Sequence, residues 1–132
     1  MQLKKSAKAL MAMTVILSSV AVGALAKDHE NQQTSMFQGP KANTGTALFM
    51  KASTKRMVKV SPDFKVPDTP APTWRLIDTK GNIYTFDAFK IKGGEKREIE
   101  VPAYVPNIAK VQVYCAFAEV VLGEASFSTP AR

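Results

Sequence analysis

Val111-Gln112-Val113-Tyr114-Cys115-Ala116-Phe117 alternates strictly between two kinds of side chain. A period of two sends successive residues to opposite faces of a strand, so Val111, Val113, Cys115 and Phe117 share one face and Gln112, Tyr114 and Ala116 the other. The first set is uniformly apolar, which turns Cys115 towards a core or its edge. Outward from this stretch the same texture recurs in short pieces. Strands are expected at residues 45–50, 56–60, 73–77, 82–86, 97–101, 109–117 and 123–127. Asp78-Thr79-Lys80-Gly81-Asn82 and Lys92-Gly93-Gly94-Glu95 supply turn chemistry between them, and residues 51–55 form a third connection. All eight prolines lie after residue 35, where no 3.6-residue apolar repeat is sustained. The expectation is an all-β chain: one antiparallel β-sandwich of about seven strands over residues 36–127, then a tail at 128–132. Residues 61–72 hold four of the prolines and should run extended over the surface, the kind of stiff loop that frames a site.

The N-terminus reads differently. Lys4, Lys5 and Lys8 precede an apolar run from Ala9 to Gly23, closed by Ala24-Leu25-Ala26. This is the pattern of a secretory signal peptide over residues 1–26, which implies a periplasmic or extracellular protein without a membrane span in its mature chain. Residues 27–35 are polar and unpatterned and are expected to be a flexible lead-in. Without the three signal lysines, 15 of the 18 Lys+Arg face 11 Asp+Glu, a charge of +4 and no argument for nucleic acid. One cysteine excludes an internal disulfide, and one histidine, His29, excludes a His-containing catalytic pair or a blue-copper set within the fold. The acids are dispersed among turns and strand ends, so an enzyme is not expected.

Three groups remain as candidate sites. A lone thiol in an exported chain is either a packed small hydrophobe or a redox or cofactor-contacting group, and Cys115 fits both. A buried thiol should have a raised pKa unless a cation such as Lys110 is close. If cleavage follows Ala26, the new terminus Lys27-Asp28-His29 offers an amine, two amides and an imidazole, a four-nitrogen set suited to Cu(II) or Ni(II). Lys51, Lys55, Arg56 and Lys59 cluster on one predicted hairpin and, with Trp74, could form a surface for an acidic or redox protein partner.

The chain also resembles the electron-transfer DM-thirteen domain. The resemblance begins with Asp63-Phe64 and Trp74-Arg75-Leu76-Ile77. It continues through Ile99-Glu100-Val101-Pro102 to the Tyr114-Cys115 pair, Gly123 and Ala125. It implies a β-sandwich whose single cysteine, here Cys115, is redox-active in an electron-transfer relay beside cytochrome-type domains. Two functions are therefore carried forward. One is an electron-transfer accessory module using Cys115 as a redox-active or cofactor-adjacent residue. The other is a non-catalytic binding or structural domain in which Cys115 is packed.

Overall fold

A computed structural model describes residues 30–91 and 95–132. The chain forms eight strands: β1 (Glu30–Gln33), β2 (Ala47–Ala52), β3 (Lys55–Val60), β4 (Pro72–Asp78), β5 (Ile83–Tyr84), β6 (Glu98–Glu100), β7 (Ile108–Cys115) and β8 (Val120–Ala131). They make two four-stranded antiparallel sheets, ordered β1-β2-β3-β6 and β5-β4-β7-β8. Alternation along β4 and β7 buries Trp74, Leu76, Val111, Val113 and Cys115 on one face. These meet Phe49, Val58, Val60 and Ile99 from the first sheet in one apolar cluster. The fold is thus all-β and sandwich-like. The proposed signal peptide and Lys27-Asp28-His29 lie outside the described residues, as do Lys92, Gly93 and Gly94 of the expected glycine turn.

Each of the seven expected strands overlaps an observed one, with three differences of physical interest. First, part of the stretch read as a flexible lead-in is ordered as β1, and the chain after it changes sheet. Thr34 N–H donates to Ala47 O in the first sheet, while Ser35 N–H donates to Ser126 O in the second, both at 2.9 Å. Residues 38–42 then follow β8, with Gln38 and Glu124 exchanging a pair of 2.9 Å bonds. This segment is held by backbone pairing at a sheet edge, which polar side chains permit and no apolar pattern announces. Phe37 anchors it, fully buried against Phe64 and Trp74 at ring separations of 5.0 and 6.0 Å.

Second, β8 continues to Ala131, so most of the expected tail is strand. Ala131 is fully buried opposite Ile108. Third, the alternation that includes Phe117 ends at Cys115. The chain turns at Ala116, and Phe117 is left 77% exposed at the hairpin tip. The expected connection at 51–55 shrinks to Ser53-Thr54, with Ser53 at φ 57°.

The turn after β4 is built by Asp78, whose carboxylate accepts from Lys80 N–H, Asn82 N–H, Asn82 Nδ2 and Tyr84 OH, each at 2.9 Å. Burial pushes this carboxyl up, but the bonds from Asn82, Tyr84 and Lys80 together hold it below the ordinary value. No helix among the described residues is long and apolar enough to cross a membrane.

Candidate functional site

Cys115 closes β7 with its side chain turned inward and only 2% exposed. The chain reverses directly behind it. Glu119 N–H donates to Cys115 O at 2.8 Å, and Ala118 N–H points at the sulfur with a 3.4 Å contact. The four-residue turn is closed by Glu119 at φ 57°. The amide of Ala118 lowers the thiol pKa most. Burial opposes it, and the amides of Ala71 and Phe117 lower it further. The Thr69 hydroxyl, whose oxygen is buried and makes no full hydrogen bond, gives the weakest of these effects. The net direction is down. The expectation of a raised pKa is therefore reversed, and Lys110 plays no part: it faces the other way, bonded to Glu124 at 3.2 Å. Backbone amides around a sulfur do the work expected of a cation.

A cleft of 540 Å³ opens beside this caged thiol. Its walls are Val66 to Thr73 on one side and Lys90, Ile91, Glu95 and Ala116 on the other. Cys115 does not line it; Ala71, Thr69 and Ala116 stand between. The proline-rich run forms a strap because it is pinned at both ends. Arg97 Nη2 donates to Ser61 O at 2.7 Å and to Phe64 O at 3.0 Å, and Thr44 Oγ1 accepts from Lys65 N–H at 2.9 Å. At the far end Ala116 N–H donates to Ala71 O and Ile91 N–H to Pro72 O, both at 2.9 Å. Pro67, Pro70 and Pro72 bring no amide hydrogens to the wall and line it with apolar rings. Asp68, Lys90 and Glu95 supply charge at the rim, where Lys90 also pairs with Asp87 at 3.0 Å. The volume lies in the range of small-ligand clefts, about 300–1,000 Å³.

Of the residues grouped as a partner surface, only part is presented together. Arg56 is buried and donates through Nη2 to Pro102 O at 2.6 Å. Trp74 is a core residue at 2% exposure, its Nε1–H donating to Lys96 O at 2.8 Å. Lys55 and Lys59 stand on the outer face of β3, yet β6 matches them: Lys59 is opposite Glu98, and Lys55 lies 4.0 Å from Glu100. Lys51 is opposite Arg56 at the end of the β2–β3 hairpin. The hairpin is thus not a bare basic patch. Among the described residues no group of three or more His, Cys, Asp or Glu could hold a metal.

Sequence reasoning found Cys115 but missed its surroundings. The amides of Ala71 and Ala118 carry no side-chain signature, and Arg97 lies over thirty residues from the carbonyls that it holds. No protein-family model, no curated protein and no solved structure matches the chain. The fold and site define its class: an all-β domain with an amide-caged thiol behind a proline-walled cleft.

Proposed function

We propose that this is an exported, non-enzymatic electron-transfer accessory domain in which Cys115 is the redox-active thiol. The observation that carries the reading is the cage: a buried sulfur at which the Ala118 amide points, and whose pKa backbone amides hold below the ordinary thiol value. The resemblance to the DM-thirteen domain points the same way through the Tyr114-Cys115 pair. In its ionised form Cys115 can lose one electron to an oxidised carrier and regain one from a reduced donor, with no bond formed or broken; the protonated form must first give up its S–H proton. The fitting carrier is a one-electron group of a cytochrome-type partner, seated at the cleft with one layer of residues between it and the sulfur. Transfer over that distance needs proximity and not contact, which suits a side chain that is 2% exposed.

A second reading is favoured by that same burial. Cys115 belongs to the central apolar cluster, and in a non-catalytic binding domain it would be a packed post behind a ligand cleft. Cys115→Ser separates the two. In protein-film voltammetry the redox reading expects a one-electron wave in the wild type that vanishes in a folded variant. Iodoacetamide should also alkylate the native thiolate. A wave absent from both proteins, with alkylation only after unfolding, overturns the redox reading and leaves the cleft as a binding site.

A further inference from the structure

The outer face of the second sheet holds an arginine with no oxygen partner among the described residues. Arg75 on β4 lies diagonally across from Tyr114 on β7, and its Cζ sits 4.1 Å from the ring centroid. Such stacking fixes a guanidinium plane and leaves its edge available. The other cationic groups nearby are matched. Lys110 pairs with Glu124 at 3.2 Å, and Gln112 donates to the other Glu124 oxygen at 2.9 Å. That carboxylate is held below its ordinary pKa, by the Gln112 bond first and by Lys110 next, against the opposing effect of burial. Arg56 and Arg97 both donate to backbone carbonyls. Arg75 alone of these three has no oxygen partner among the described residues, and its Nε is buried without one.

Directly opposite Arg75 on β7 stands Gln112, whose Oε1 is also buried without a partner, and the Tyr114 ring covers the guanidinium. Val121 stands directly across from Tyr114 on this face and is 37% exposed, and Phe117 at the tip of the same hairpin is 77% exposed. A tyrosine ring, a stacked arginine and an exposed valine across from them make the composition of an interface centre, where tyrosine and arginine anchors are enriched. We infer that this face, around Arg75, Tyr114 and Val121, docks a partner protein that presents an acidic side chain among apolar ones. The argument is charge complementarity: the face carries one uncompensated guanidinium, whose planar fork matches a carboxylate in two parallel bonds. Tyr114 and Val121 would exclude water around that pair and so strengthen it. The inference is independent of any redox role for Cys115.

The test is a selection of short random peptides displayed on phage against the purified protein, with recovered peptides then synthesised and titrated. The peptides should carry Asp or Glu flanked by apolar residues and should bind about tenfold or more tightly to the wild type than to Arg75→Gln. Binding should weaken as salt rises. Arg75→Lys, which keeps the charge but loses the fork, and Val121→Ser should each weaken it too, giving three variants should one fail to fold. Lys59→Gln on the opposite sheet should leave it unchanged. Recovery of no peptide, of peptides without acids, or of peptides that bind Arg75→Gln as well as wild type overturns the inference. Self-association that Arg75→Gln abolishes also overturns it, since the occupant would then be a second copy.

Discussion

Gly123 offers a sharp test of how the N-terminal segment is held. A Cβ placed there would lie 2.1 Å from Ala42 O and 2.6 Å from Ala42 Cβ. Ordinary contact begins at 3.4 Å, so in Gly123→Ala the two backbones must part by about 1.3 Å. The bonds from Lys41 and Ala42 N–H to Leu122 O, at 3.0 and 2.9 Å, cannot survive that separation. Each is worth about 1 kcal/mol, and forcing a methyl into a packed site costs about 1–3 kcal/mol. The expected loss is therefore about 3–5 kcal/mol, a large share of the roughly 5–15 kcal/mol that holds a small domain together. For a domain of this size each kcal/mol lowers the unfolding midpoint by about 4–8 °C. Urea unfolding with linear extrapolation measures the loss, and hydrogen exchange at Lys41 and Ala42 should accelerate. Gly81→Ala is the control: nothing lies within 4 Å of its Cβ, so only the strain of φ +87° remains, about 1 kcal/mol. If Gly123→Ala costs no more than Gly81→Ala, residues 38–42 do not pack on β8 and the sheet change is wrong.

Three further predictions can be checked on the same purified protein. Because the folded Asp78 has a lowered pKa, its contribution is complete above the ordinary carboxylate range and is lost as pH falls through the folded value. Asp78→Asn should flatten the acid limb of the stability–pH curve, and an unchanged limb refutes the network around that carboxylate. The lowered thiol pKa has the same sign: stability should rise with pH through the thiol range, a rise that Cys115→Ser removes, and the alkylation rate of native Cys115 should titrate below the ordinary thiol value of about 8.5. Arg97→Ala frees the strap, with an expected loss of about 2 kcal/mol and faster exchange at the Lys65 amide; protection equal to wild type would show that prolines alone hold residues 61–72.

How far the chain could be read from its letters follows from which forces set each part. Strands β2, β3, β4 and β7 were legible because a half-buried sheet imposes period two on side chains, as Trp74 with Leu76 and Val111 with Val113 show. Strand β1 was not, because an edge strand needs only backbone partners and Asn31, Gln32 and Gln33 carry no burial signal. Phe117 misled for the opposite reason: it keeps the alternation for one step beyond the strand, where only the turn geometry decides. At the site, Cys115 was visible and its chemistry was not. The direction of its pKa depends on amides at Ala71 and Ala118 brought together by folding, and the cleft exists because Arg97 reaches back to Ser61 and Phe64. Trp74 and Arg56 looked available by residue type, but their positions on inward-facing strand sites buried them.

The sheet change at Thr34 and Ser35 has a temporal consequence. A ribosome makes the chain from its N-terminus, so Phe37 and Ala42 exist long before the strand that receives them. Gln32 Nε2 donates to Thr129 O across 97 positions of sequence, and Ser35 Oγ accepts from Ser126 N–H across 91. Residues 32–42 must wait for residues 122–129. A growing chain can pair β2 with β3, but its core stays open at one side until β8 is released. Contacts of such range make folding slow and leave apolar surface uncovered meanwhile. If the chain is exported, as the reading of residues 1–26 expects, it can cross the membrane unfolded without racing its own folding, because β8 is made after every strand that it closes upon.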